Sequence, residues 1–325
     1  MTTNTSKTII EFITKNTQAS PKDLYTMLGI SPRAVFKQLQ KLCEKNVLQK
    51  VGQPPKVYYI LATTSPSKQS PLIDETINTI INENFYYVSA LGQEALGKEG
   101  FEQWCHKHHL DITKTAGEYV QILAKYHHYK KNGFIDGLPK ITSTFKSTSL
   151  NHLYYLDFYA IERFGKTKLG QLVLLAKSGQ SKKHLSQLIT HIASPINTLI
   201  ERFNIDGVGF IPPTVKRNLQ LMDELKKQLS LASRLLSIIK IKTPVTIAQK
   251  TLSKLEDRIE NARQTLIVED KASYNNILLI DDAVGSGATL NETATQIRNK
   301  NLCTGKIIGL AIVGSFKGFD VISEV

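Results

Sequence analysis

The stretch that most constrains this chain is Ile277-Leu-Leu-Ile-Asp-Asp-Ala-Val-Gly-Ser-Gly-Ala-Thr289. Ile277 to Ile280 are consecutive apolar residues, the pattern of a strand buried on both faces in a parallel sheet. Two carboxylates, Asp281 and Asp282, follow at its carboxyl end. A turn of small residues, Gly285 to Thr289, then leads into a helical run from Leu290 to Lys300. Strand, acids, glycine turn and helix amino-terminus, in that order, is how an open α/β sheet holds a phosphorylated ligand. Gly285 and Gly287 permit close approach and φ > 0, so that backbone N–H groups can converge on a phosphate. Ser286 or Thr289 adds a hydroxyl. Like charge keeps Asp281 and Asp282 off the phosphate itself; they suit the hydroxyls of a sugar, or a magnesium shell. A sugar diol beside a phosphate describes a ribose 5-phosphate. The plainer reading of the same residues is a buried strand ending in a solvated Asp-Asp turn. No lysine follows the glycines, which excludes a Walker A loop.

The stretch resembles the 5-phosphoribosyl diphosphate (PRPP) signature of type I phosphoribosyltransferases: four apolar residues, two acids, two further apolar residues, and a small-residue loop ending Gly-Ala-Thr. Gly285 stands where that family more often has Thr. The resemblance extends over about residues 150 to 325, toward the ComF-like branch of the family. Lys177-Ser-Gly179 looks like its Lys-x-x-Gly region. Ile211-Pro-Pro-Thr-Val-Lys-Arg-Asn-Leu-Gln220 looks like a shortened form of its Pro-rich strand end and its Arg-Gly-Phe-Asn-Gln motif, with Arg217, Asn218 and Gln220 kept and the glycine missing. Gln249, Leu252, Arg258 and Asn261 resemble its Gln-x-x-Leu … Arg-x-x-Asn hood, one residue longer between Leu and Arg.

The resemblance implies PRPP as ligand, Mg2+ as cofactor, and displacement of diphosphate from the anomeric carbon by a nitrogen nucleophile, a nucleobase above all. It implies catalytic roles for Asp281, Asp282 and Arg258, the last on a mobile hood. Gly285, Ser286, Gly287, Ala288 and Thr289 would hold the 5-phosphate. Pro213, Thr214, Lys216 and Arg217 would hold the diphosphate, with magnesium bridging diphosphate and ribose hydroxyls. No side chain is assigned as a direct metal ligand.

Residues 1–66 read as a separate unit. Lys7 to Asn16 carries Ile9, Ile10, Phe12 and Ile13 at helical spacing. Ser20-Pro21 starts a second helix, which Gly29 closes. Ser31-Pro32 caps a third, with Val35, Phe36, Leu39 and Leu42 on its apolar face. A hairpin follows, from Val47 to Val51 and from Lys56 to Ile60 around Gly52-Gln-Pro-Pro55. This order resembles a winged helix-turn-helix domain, whose third helix enters the major groove of double-stranded DNA. The resemblance implies DNA contacts for Arg33, Lys37, Gln38, Lys41 and Lys56. Residues 1–70 hold ten basic side chains against Glu11, Asp23 and Glu44. A winged helix used for protein contact, with a solvated basic face, is the alternative.

A polar linker, Thr63 to Pro71, leads to residues 72–145, which read as a mostly helical connector. Its helices are Leu72 to Phe85, Gly100 to His109 with Trp104 as core anchor, and Thr115 to Lys131 closed by Asn132-Gly133. Its histidines, including His106, His108 and His109, match no metal-ligand spacing. Residues 150–325 then alternate strand and helix, which predicts an α/β fold with a doubly wound parallel sheet. Strands are expected at Tyr154 to Phe164, Leu169 to Ala176, Asp206 to Pro213, Leu235 to Lys242, Thr265 to Val268, Ile277 onward, Gly305 to Val313 and Phe319 to Ile322. Helices are expected at Lys183 to Phe203, broken or kinked at Pro195, at Val215 to Leu231, and within Thr246 to Gln264.

Three cysteines lie far apart in a chain of 325 residues with no apolar signal region and no membrane-length apolar run. That fits a cytoplasmic protein without disulfides. A net charge of +13 calls for a polyanionic partner, and PRPP alone is too small to account for it. Two readings stay open: a magnesium-dependent phosphoribosyltransferase, and a PRPP-sensing DNA-binding regulator. For the second, the order of a winged helix before a phosphoribosyltransferase-like domain is similar to that of the purine repressor of Gram-positive bacteria. A competence-type role in handling DNA also suits the charge, although ComF proteins usually open with a cysteine-rich zinc module that this chain lacks. Type I phosphoribosyltransferases and winged-helix regulators are often dimers, which makes a homodimer plausible.

Overall fold

The computed structural model describes residues 2–62, 73–215, 217–229, 231–241 and 251–316. The chain divides into two compact units, residues 1–72 with 88–94, and residues 73–87 with 95–325.

The first unit has three helices, α1 (Thr2–Asn16), α2 (Pro21–Leu28) and α3 (Pro32–Glu44), and a two-stranded antiparallel ribbon, β1 (Leu48–Gln53) with β2 (Lys56–Leu61). Local chemistry sets the helix ends. Ser20 and Asp23 form a capping box at α2, Gly29 ends that helix at φ 63°, and Ser31 accepts the Ala34 N–H at α3. Ile9, Ile13, Leu24, Val35, Leu39, Leu42, Leu48 and Tyr59 form the core. Phe36 does not join it. It is 51% exposed, because one residue step turns it about 100° away from the stripe that Val35, Leu39 and Leu42 bury.

The second unit is mixed α/β around a seven-stranded, mostly parallel sheet. It begins with helices α4 (Glu75–Asn84), α5 (Gly97–Lys107) and α6 (Ile112–His127). Phe85, Phe101, Trp104, Tyr119 and Phe164 pack ring on ring, with Trp104 as the anchor read from sequence. The run expected as one helix to Lys131 stops at His127. Strand β3 (Lys130–Lys131) instead pairs antiparallel with β4 (Phe134–Asp136). Asn132 and Gly133 both take positive φ, the requirement of a two-residue hairpin turn rather than of a helix cap. This hairpin adds to the main sheet, so the segment read as a helical connector shares its sheet and its core.

The remaining elements follow in order: α7 (Leu138–Thr144), β5 (His152–Phe158), α8 (Lys168–Ser178), α9 (Lys182–Arg202), β6 (Gly207–Phe210), α10 (Leu221–Gln228), β7 (Arg234–Leu235), β8 (Ile238–Lys240), α11 (Leu255–Thr265), β9 (Leu266–Val268), β10 (Ile277–Val284), α12 (Ala288–Asn299) and β11 (Ile307–Gly314). The sheet order is β7-β6-β10-β11-β5-β4-β3, with the first five strands parallel. Ile277 to Ile280 are fully buried, as the apolar run requires.

Several expectations on this unit change. Leu169 to Ala176 is helix, not strand: Thr167 accepts the Gly170 N–H at 3.0 Å and starts α8, and a short apolar run fits either period. The strand from Tyr154 ends at Phe158, and residues 160–166 fold into a small hairpin instead. The helix expected from Val215 starts only at Leu221, leaving an irregular loop after β6. The strand expected at Leu235 to Lys242 divides between two sheets, β7 on the main edge and β8 paired antiparallel with β9. Helix α9 runs unbroken through Pro195. Phe319 to Ile322, Lys242 and Gln249 lie outside the described residues.

Topology places a crevice. After β6 the chain crosses through α10 to β7 on one side; after β10 it crosses through α12 to β11 on the other. The neighbouring carboxyl ends of β6 and β10 are therefore left in opposite directions. That is the switch point at which open α/β sheets bind ligands.

Candidate functional site

The carboxyl end of β10 carries Asp281 and Asp282, and strand alternation sends neighbouring side chains to opposite sides. Each meets a lysine. Lys177, in the last turn of α8, places Nζ 2.6 Å from Asp282 Oδ2. Lys240, at the end of β8, is held near Asp281, and its ammonium donates to Asn261 Oδ1 at 3.4 Å. Burial pushes the Asp281 carboxyl well above the usual carboxylate range, the Asp282 charge pushes it further, and Lys177 and Lys240 oppose the rise. Burial likewise lowers the Lys240 ammonium, against the opposing pull of Asp281. The Asp282 N–H donates to Asp281 Oδ1 at 2.8 Å, which fixes that carboxylate against its own backbone.

The glycine turn follows. Gly287 sits at φ 83° as the N-cap of α12 and supplies no side-chain cap. Ser286 is buried, and its Oγ accepts the Ala288 N–H at 3.4 Å. The first-turn N–H groups of α12 have no intrahelical acceptor and carry the positive end of the helix dipole. A Cβ on Gly287 would stand 2.6 Å from Ile141 Cδ1, so α7 packs directly on this turn. A Cβ on Gly285 would meet only Arg258 Nη1, at 3.9 Å. Of the two glycines, only Gly287 uses positive φ.

A cavity of about 210 Å³ lies over these residues. Asp281, Asp282 and Gly285 to Thr289 form one wall. Pro213, Thr214 and Arg217 come from the loop after β6, and Arg258 comes from α11. These residues, scattered through 77 positions of sequence from Pro213 to Thr289, thus face one space. Lys216 lies outside the described residues. Arg258 is already in the cavity wall, 5% exposed, with Nε donating to the Leu252 carbonyl at 2.7 Å. Burial lowers its guanidinium below the usual range. Lys177 and Lys240 also line the cavity. Four cations therefore face two carboxylates, which suits a ligand with several negative charges.

Lys240 was not singled out in the sequence, yet a signal was present. It interrupts the apolar run Ile238-Ile-Lys-Ile241, and a lysine on the buried side of a strand is costly unless it meets an anion. In sequence Lys177 is only part of a motif; its ion pair with Asp282 gives it a place in the site. Among the described residues, no group of three or more His, Cys, Asp or Glu is placed to hold a metal ion by itself. No helix of the described residues is long and apolar enough to cross a membrane.

On the first unit, Arg33, Lys37 and Lys41 are exposed on α3, and Lys56 is exposed at the start of β2. Gln38 does not face outward with them. It is half-buried, and its Oε1 accepts the Ser6 hydroxyl at 2.9 Å, tying α3 to α1. Phe36 takes the outward position instead. No protein-family model matches the chain, and no match is found among curated proteins.

Proposed function

We propose that the chain is a ComF-like phosphoribosyltransferase that binds PRPP with magnesium, transfers the phosphoribosyl group to a nitrogen nucleophile of the nucleobase class, and binds duplex DNA through a winged helix in its first unit. One observation carries this reading. An acidic pair, a glycine-led helix amino-terminus and four cations line one cavity at a topological switch point.

In this reading the first-turn N–H groups of α12, with the Ser286 and Thr289 hydroxyls, hold the 5-phosphate. Asp281 and Asp282 accept hydrogen bonds from the ribose hydroxyls. Thr214 and Arg217 take the diphosphate. The bond from the anomeric carbon to the diphosphate oxygen breaks, and its electron pair leaves with the diphosphate. The nucleophile's nitrogen supplies the pair for the new bond and then loses its proton. Positive charge on the ribose ring is stabilised by the two carboxylates, so positioning and electrostatics supply the catalysis. Arg258 closes the wall behind the ring and keeps water out. Magnesium takes one or two carboxylates plus ligand phosphate oxygens, and the acidic pair fits that donor set. Bound, it would neutralise charge on the diphosphate.

A second reading, a PRPP sensor without transfer, is favoured by the Lys177–Asp282 ion pair, which commits one carboxylate to a protein cation. Diphosphate release from PRPP across a panel of nucleobases separates the two. Turnover with one base supports the enzyme. A raised melting temperature with PRPP and magnesium, without turnover, supports the sensor. An unchanged melt at millimolar PRPP overturns both.

A further inference from the structure

We infer that Phe36 reads thymine: its ring lies against the 5-methyl groups that line the major groove of duplex DNA. The inference rests on the DNA reading of the first unit and adds to it a residue that discriminates between bases.

Among the described residues of the helices and ribbon, 2–62, Phe36 is the most exposed large apolar side chain, at 51%. It lies in the second turn of α3, whose amino-terminal end is fixed by the Ser31 cap and Pro32. Arg33, Phe36, Lys37 and Gln40 stand at i, i+3, i+4 and i+7, so they form one outward stripe of the helix. A single exposed apolar side chain is ordinary by itself; what sets this ring apart is its place on the outward stripe of a capped helix, beside Arg33 and Lys37.

Charge decides which partner. Ten basic side chains against three acidic ones in residues 1–70 favour a polyanion over a protein face. The amino-terminal turns of a recognition helix are the ones that reach base edges. The polar alternatives on α3 are engaged elsewhere. The Gln40 amide donates to Glu44 Oε1 at 2.9 Å, and Gln38 accepts from Ser6. Arg33, Lys37 and Lys41 fit phosphates and guanine edges. The thymine methyl is the apolar group that the major groove presents, and Phe is a side chain suited to it.

The test compares the full chain on two 30-base-pair duplexes, alternating dA-dT and alternating dA-dU, by fluorescence anisotropy at low salt. The second lacks only the 5-methyl groups. Burying one methyl group corresponds to about a fourfold change in affinity, so the dA-dT duplex is expected to bind at least about fourfold tighter. Phe36→Ala should bind both duplexes equally, with the salt dependence of the wild type. Phe36→Leu, still apolar, should keep part of the preference. Equal binding of the two duplexes by the wild type overturns the inference and leaves the DNA reading standing. A preference that survives Phe36→Ala also overturns it. Binding to neither duplex overturns the DNA reading and this inference together. A self-associated form that Phe36→Ala dissociates, with DNA binding unchanged, assigns the ring to a protein contact and overturns it.

Discussion

Gly285 and Gly287 look equivalent in sequence, two permissive residues in one turn, yet the fold uses them differently. Gly287 holds φ 83° and has Ile141 where a Cβ would go; Gly285 has neither constraint. Gly287→Ala is therefore expected to lose about 1–2 kcal/mol for the left-handed backbone and about 1–3 kcal/mol for the overpacking against α7. Gly285→Thr should fold with little loss, since only Arg258 Nη1 comes within 4 Å of its Cβ, at 3.9 Å. Denaturant unfolding of the pair checks the contrast, and equal losses would show that neither the left-handed backbone nor the contact with α7 penalises a Cβ at Gly287. Asp281 belongs to the same scale. Burial disfavours its charge, so Asp281→Asn should melt higher than the wild type without ligand, while PRPP with magnesium should no longer raise its melting temperature. Thermal melts with and without PRPP read both signs in one experiment. A variant that melts lower without ligand would mean that the lysines beside Asp281 outweigh its desolvation.

Elements were legible where one pattern excluded the others. Ile277 to Ile280, bounded by acids and glycines, had only a buried strand open to it; β10 begins there and continues four residues further, through both acids to Val284. Helices α2 and α3 of the first unit carried their own caps. The run Leu169 to Ala176 had no such exclusion: eight apolar-rich residues suit either period, and the deciding feature was Thr167, a cap placed before it. Lys240 stayed hidden for another reason. Its role depends on β8 pairing with β9, a partner 26 to 30 residues away in sequence, which brings it over Asp281. The β3–β4 hairpin also hid, because Asn132-Gly133 serves a helix end and a two-residue turn alike. It brings Lys130 Nζ to 3.9 Å from Asp157 Oδ2 at the end of β5. Burial raises the Asp157 carboxyl, with Lys130, the Phe158 N–H and His127 opposing. The folded state thus holds a proton that the unfolded chain has released, and this contribution to stability is lost as pH rises from about 4, the ordinary carboxylate value. Asp157→Asn keeps an oxygen for the Phe158 N–H and removes the titration. It is expected to melt above the wild type at neutral pH, with the gap closing toward pH ~4. A gap that stays constant with pH would show that Asp157 ionises as freely in the fold as in the open chain.

Across the whole molecule, charge is distributed in a way that one ligand does not explain. Among the described residues the cavity pairs four cations with two carboxylates, a lining that suits a small polyanion. The surplus of basic over acidic residues within the first 70 is a separate quantity, and part of it, Arg33, Lys37, Lys41 and Lys56, appears as exposed side chains on α3 and β2 rather than as a lining. The two sets can therefore be removed independently. Each phosphate contact released from duplex DNA lowers the slope of log affinity against log salt by about 0.9. Replacing Arg33, Lys37, Lys41 and Lys56 together with Ala should flatten that slope by up to about four such steps, weaken binding to unrelated duplexes by similar factors, and leave the melting shift with PRPP intact. Gln38→Ala should leave the slope unchanged, because that side chain serves the contact between α1 and α3. Affinity measured at several salt concentrations decides it. A quadruple variant with the wild-type slope would move the polyanion site off α3 and β2, and with it the assignment of the first unit as a reader of DNA.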